Sequence, residues 1–221
     1  ALKNSNVLSD FSFLVGDAGT KGHFFYNQVG KINDNLDFEL NLQSVEGDNY
    51  LKNYKLIETS NLIKNDNLLV SNLDLNWKFE NASLDTSLKI FEDLSRNYSD
   101  RYQYVFPNFK FSKIIEIPKK YNGKFIFNSY GYNKLYDTNV AETVITNDFL
   151  FLSDEFVNSK GIISNYNIFL KNPSSYAKNS SNFEDDENYD LYGTIKLDSS
   201  FPLQKKIDQY IHYLRPVASV R

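Results

Sequence analysis

Few residues in this chain are of the kinds that make or break bonds. It has two histidines, His23 and His212, and no cysteine. Each histidine is isolated in sequence; His212 stands among Tyr210, Tyr213 and Arg215. A catalytic histidine needs a placed nucleophile or an orienting carboxylate, so a structural or interface role is expected for both. Without cysteine the chain can form neither disulfides nor thiolate metal sites nor a thiol nucleophile. Glycine-rich phosphate loops, a GxSxG elbow and an HExxH pair are also missing.

The acidic pair Asp185 and Asp186, inside the run Glu184 to Glu187, has the chemistry to hold a divalent cation or to act in glycoside hydrolysis. No calcium-loop pattern with its turn glycine surrounds it, so a solvated loop is expected. Three Asn-x-Ser triplets, at Asn81, Asn97 and Asn179, match the glycosylation sequon but carry no weight in a chain so rich in Asn and Ser. The aromatic series Tyr102, Tyr104, Phe106, Phe109 and Phe111 fits a sugar-binding platform or the girdle of a membrane barrel. Pro107 interrupts that series, lacks an N–H, and predicts a bulge or a gap in the pairing ladder.

The elements around these residues repeat with period two. Leu36, Phe38, Leu40 and Leu42 alternate with Asp37, Glu39, Asn41 and Gln43; Leu73, Leu75, Trp77 and Phe79 alternate with Asp74, Asn76 and Lys78; Leu84, Thr86, Leu88 and Ile90 continue the pattern. Successive strand side chains point to opposite faces, so each segment has one mainly apolar and one polar face. No convincing helix of three turns is found. Eleven strands are expected near 7–15, 21–31, 36–45, 67–80, 84–94, 102–114, 123–133, 141–153, 160–171, 188–198 and 209–221. Most match the length of tilted membrane-crossing strands rather than the shorter strands of globular proteins. Asn33-Asp34-Asn35, Asn81-Ala82-Ser83 and Asn122-Gly123 supply turns, while 46–66 and 172–187 are long polar connections. From the second strand on, short and longer connections are expected to alternate, as in outer-membrane barrels.

The composition agrees. Of 221 residues, 41% are hydrophobic and 16% aromatic, yet the mean hydropathy is -0.48. No apolar run is long enough for a spanning helix. A β-barrel is the membrane architecture that tolerates such polarity, because only every second residue meets lipid. The net charge of -4 argues against a nucleic-acid partner. Methionine is absent and the chain starts at Ala1, so it is expected to be a piece of a longer protein.

Several segments taken together resemble the LptD (OstA) family of outer-membrane proteins. They are Lys21-Gly22-His23-Phe24-Phe25-Tyr26-Asn27, the hairpin at Asn33-Asp34-Asn35 with the strand Leu36 to Leu42, and Val45-Glu46-Gly47-Asp48-Asn49-Tyr50-Leu51. Tyr102-Gln103-Tyr104-Val105-Phe106-Pro107-Asn108-Phe109 and Tyr213-Leu214-Arg215-Pro216-Val217-Ala218-Ser219 follow in the family's order. The resemblance spans nearly the whole chain. It implies an all-β fold, an antiparallel meander forming part of a large transmembrane barrel, with residues 1–221 as a partial barrel domain. The periplasmic jelly-roll domain, the first strand and the closing strands would lie elsewhere, and with them the lateral gate.

The function so implied is transport. The parent protein would insert lipopolysaccharide into the outer leaflet of the cell outer membrane, with a plug lipoprotein, LptE, and a periplasmic bridge protein, LptA, as partners. It would be no enzyme and would carry no catalytic residue, cofactor or metal. Asp37, Glu39, Asn41, Asp74, Asn76 and Lys78 are expected to face the lumen. Leu36, Phe38, Leu40, Leu73, Leu75, Trp77 and Phe79 are expected to face lipid. The alternatives are another outer-membrane barrel, such as a porin or receptor, and a secreted β-rich carbohydrate-binding module or glycosidase.

Overall fold

Period-two segments fold here as the antiparallel strands they encode. The computed structural model describes residues 3–16 and 19–221. Its strands are β1 (Lys3–Gly16), β2 (Gly19–Asn33), β3 (Leu36–Glu46), β4 (Leu68–Lys78), β5 (Ala82–Asp93), β6 (Tyr102–Ile115), β7 (Gly123–Tyr136) and β8 (Val140–Ser153). They continue with β9 (Phe156–Val157), β10 (Ile163–Lys178), β11 (Glu187–Tyr189), β12 (Tyr192–Ser200), β13 (Leu203–Ile207), β14 (Tyr210–Leu214) and β15 (Val217–Val220). The only α-helix among the described residues is one turn, α1 (Tyr50–Asn53). The chain is therefore all-β, and its main sheet of 13 strands is an antiparallel meander. The order runs β1-β2-β3-β4-β5-β6-β7-β8-β10-β12-β15, with β9 and β11 each pairing β10 beside that path. Among the described residues no pairing joins β1 to β15.

Four expectations need correction. β10 runs on to Lys178, so the connection expected at 172–187 begins only at 179. The stretch 188–198 is divided between β11 and β12, and 209–221 between β14 and β15. The cause of the second break is Pro216: proline cannot continue a ladder, and its carbonyl instead accepts from Phe201 N–H at 3.0 Å. The segment between Pro202 and Pro216 forms a separate hairpin, β13–β14, whose side chains are all exposed. Connection lengths alternate through β6 and not beyond, since 116–122 is long and 137–139 is short. Pro107, by contrast, lies inside a continuous β6, and the Phe106–Pro107 peptide bond is cis.

The chain divides into two compact units. The first comprises the described residues of 1–111, 130–145 and 174–188. Strands β1 to β5 lie within it, and their register is continuous: Gly30 faces Phe38, Phe38 faces Leu75, and Leu75 faces Thr86. Asn33 folds the β2–β3 turn locally, its side chain accepting from Asn35 N–H at 2.9 Å. A small apolar cluster is buried at one end of these strands: Phe25, Tyr50, Leu51, Ile63, Leu69 and Leu94, with Val45, Leu56 and Leu62 packed against it.

The second unit comprises residues 112–129, 146–173 and 189–221. It pairs β10 with β12 from Ile163–Ser200 to Lys171–Tyr192, and β12 with β15. Phe127 and Phe149 (ring centroids 5.0 Å apart) and Phe151 and Tyr166 (5.5 Å) pack as pairs. Along β12, exposed Ile195 and Leu197 alternate with Lys196 and Asp198, which pair with each other at 2.8 Å.

Candidate functional site

Antiparallel register places whole rows of like side chains on one face. On β2 to β5 these rows are Lys31–Asp37–Asn76–Asp85, Val29–Glu39–Asp74–Ser87 and Asn27–Asn41–Asn72–Lys89. The rows of the opposite face are Leu36–Trp77–Leu84, Phe38–Leu75–Thr86 and Leu40–Leu73–Leu88. All six residues expected at the lumen thus share one face. Of the seven expected at lipid, six share the other. Phe79 lies one residue past β4, where its N–H donates to Ala82 carbonyl at 2.8 Å and its ring stacks on Trp77 at 4.8 Å.

The polar face is internally paired. Asp37 takes Lys31 at 3.5 Å and Lys78 at 3.3 Å, and Asp74 takes Lys89 at 3.6 Å. Asn72 donates to Asp74, Asn76 to Asp85, and Asn27 to Glu39 at 3.2 Å. A cavity of about 400 Å³ opens between these side chains, lined by Asp37, Glu39, Asp74, Asp85, Ser87 and Lys89. Much of the apolar face is exposed among the described residues. Phe11 is 67% exposed, Phe13 73%, Val15 73%, and Phe24, Leu42, Trp77 and Leu88 are exposed as well.

The 47–67 connection is not a free loop. Tyr50 on α1 shares a hydrogen bond with Ser12 Oγ (2.8 Å), and Ser12 shares one with His23 Nδ1 (2.9 Å). Asp10 lies 3.3 Å from His23 Nε2. The Gly16–Gly19 closure of the β1–β2 hairpin sets Ser12 directly across from His23. Serine, histidine and aspartate are the residue types of a hydrolytic triad, but His23 and Tyr50 are 6% and 5% exposed, and Tyr50 occupies the serine hydroxyl. The group acts as a tether between the connection and the strands. Sequence reasoning left His23 without partners because the hairpin closure that supplies them lies in an unremarkable stretch.

Further loops join at the same strand ends. Arg101 reaches Asp48 at 2.9 Å and Glu92 at 3.6 Å, and the Asp48 bond raises the guanidinium pKa further above its ordinary value. Arg96 pairs with Asp137 at 2.6 Å. Thr138 Oγ1 donates to Ser99 carbonyl (2.6 Å), and Asn179 Nδ2 donates to Asn139 carbonyl (3.0 Å). Glu142, 2% exposed, accepts from Tyr136 (2.7 Å), Ser180 (2.6 Å) and Asn182 (3.0 Å). These bonds explain Ser180 and Asn182 as anchors of the Ser- and Asn-rich connection.

No cluster of three or more His, Asp or Glu residues among those described is placed to hold a metal ion. Among the described residues no helix is long and apolar enough to cross a membrane, which says nothing of strands. Comparison with protein-family models and with curated proteins finds no match for this chain.

Proposed function

We propose that this chain is part of the wall of a large outer-membrane β-barrel, and that the parent protein inserts lipopolysaccharide into the outer leaflet as the LptD family does. The observation that carries the membrane part is the pair of faces on β1 to β5. One is apolar with many of its described side chains exposed; the other is charged and hydrogen-bonded. Large contiguous apolar patches are rare on soluble monomers, and a soluble sandwich or sugar-binding module would cover that face with a second sheet. Acyl chains cover it equally well. The dimensions agree, since an eleven-residue strand such as β4 is about 37 Å long. Tilted by about 45°, it would rise about 26 Å, close to the apolar band of roughly 25 Å in such barrels.

The cargo rests on the ordered resemblance to the LptD family. In this reading lipopolysaccharide, LptE and LptA are the partners, and LptE meets the face carrying Asp37, Glu39, Asn76 and Lys78. The test of the membrane part uses single cysteines at positions 75 and 76 of the full-length parent in native membranes. A water-soluble thiol reagent should label 76 and spare 75; equal or reversed labelling refutes the barrel. The test of the cargo is depletion of the parent protein, which should halt the arrival of new lipopolysaccharide at the cell surface. Unchanged arrival leaves a barrel of another kind, such as a porin or receptor.

A further inference from the structure

The first unit buries its apolar side chains in an unexpected place. Its apolar sheet face is largely exposed, and the buried cluster instead forms around residues of the 47–67 connection: Tyr50 (5% exposed), Leu51 (0%) and Ile63 (4%). Their anchors lie on the polar face. Ser12, His23, Phe25 and Val45 have the same facing as Gln43, Asn41 and Glu39, because Ser12 pairs with His23, His23 with Val45, and Phe25 with Gln43. Leu69 and Leu94 complete the cluster from strand ends beyond Asn41–Asn72, the last β3–β4 pair.

Beyond that pair Gln43 takes over the ladder with its side chain. Its Oε1 accepts from Val70 N–H at 2.8 Å, and its Nε2 reaches Leu62 carbonyl at 3.4 Å. Residues 61–65 roof a cavity of about 520 Å³, with Asn61 and Lys64 on one side and Asn41, Gln43 and Asn72 on the other. Arg101 clamps the start of the connection through Asp48. Phe25 and Val45 interrupt the polar series of their face, and the connection covers them.

We propose that residues 47–67 are a built-in constriction, fixed on the water-facing side of the wall, that narrows the aqueous path along it and restricts the passage of solutes. The proposal rests on the membrane reading above. An outward loop would leave Leu51 and Ile63 in solvent; packed in one cluster with Phe25 they are buried, and removing such side chains from water is favourable. The segment is held by three kinds of contact: apolar packing, the Tyr50–Ser12–His23 tether and the Arg101–Asp48 ion pair. It therefore keeps its place without a partner to hold it there.

The test uses the full-length parent in planar lipid bilayers and in native membranes. The double variant Leu51→Asp with Ile63→Asp breaks the apolar packing and leaves every strand residue in place. Its ion conductance should be several-fold above wild type, while the heat-modifiable gel mobility of a folded barrel is retained. A variant that stays folded and conducts as wild type overturns the proposal. A second measurement requires no disruption: with cysteine at position 72, under the roof, a small maleimide should react and a polymer-linked maleimide should be excluded. Equal reaction with both overturns the proposal even where the double variant does not fold. A wild-type protein that gives no heat-modifiable barrel and inserts into no bilayer refutes the membrane reading itself, and that result is distinct from the other two.

Discussion

Leu88 and Trp77 share nearly the same exposure, 43% and 41%, but lie at different heights along their strands. Leu88 pairs with Leu73, the middle residue of β4 (Leu68–Lys78). Trp77 is four residues further along, about 14 Å at a strand rise of about 3.4 Å. With a tilt of about 45° that is about 10 Å along the membrane normal. Arginine on the lipid face costs about 2–4 kcal/mol at the midplane and about 0–1 kcal/mol near an interface. The two sites should therefore respond differently although water in a soluble protein would reach them alike. Alanine variants at both sites remove the contribution of the native side chain, so the quantity to read is arginine minus alanine. It should be about 2–4 kcal/mol at position 88 and about 0–1 kcal/mol at position 77. The assay is denaturant titration of the full-length parent refolded into phospholipid vesicles. Equal differences at the two sites, or a larger one at 77, would refute the argument that depth in a bilayer sets the cost.

Other outcomes follow from single contacts. Glu142→Ala leaves the Tyr136, Ser180 and Asn182 donors without their shared acceptor. It should destabilise the first unit by about 1–3 kcal/mol and speed proteolysis within 180–187, whereas wild-type cleavage rates would show that Glu142 does not anchor that connection. Gly22→Val puts a Cβ 2.5 Å from the Ser12 carbonyl oxygen and 3.1 Å from Phe13 Cα. Main chain cannot yield cheaply, so a loss of about 1–3 kcal/mol is expected, seen as faster amide exchange along β1. Tyr50→Phe removes the hydroxyl shared with Ser12 and should cost about 0.5–1.5 kcal/mol by chemical denaturation. A double-mutant cycle on Arg101 and Asp48, whose carboxylate is 54% exposed, should give a coupling of about 0.2–1 kcal/mol that shrinks with added salt.

The sheet was legible where alternation and short turns acted together. Parity alone separates Asp37, Glu39 and Asn41 from Leu36, Phe38 and Leu40, and the tight turns at 34–35 and 79–81 then fix which rows meet. The resulting faces match those read from Leu73, Asp74, Leu75 and Asn76. The 47–67 connection was not legible. Its one-turn helix is too short to show a period, and its buried residues are spread over 50–63. Phe25 and Val45, apolar residues in a polar series, are the seats that receive it. The C-terminal break had a signal that went unused: Pro202 and Pro216 bracket the β13–β14 hairpin, and a strand drawn through Pro216 ignores its missing N–H. The length of 116–122 had none, since Asn122-Gly123 marks only where that connection ends; Asn122 takes the left-handed conformation expected of it, at φ 42°.

The turn between β7 and β8 bears on the order in which the chain folds. Asp137, Thr138 and Asn139 all have left-handed backbones, at φ 41°, 36° and 80°. Such a conformation costs an ordinary residue about 1–2 kcal/mol, and the branched Thr138 is the least suited of the three. Most hairpins begin at their turn, but this turn is held from outside. Arg96 and Ser99 grip it from the β5–β6 connection, and Asn179 from the end of β10. The β7–β8 hairpin is thus a poor nucleus. It should close after β5 and β6 have paired, and its last hydrogen bond must wait for a residue forty positions downstream of Asn139. Assembly that advances strand by strand from β1 delivers these contacts in the required sequence.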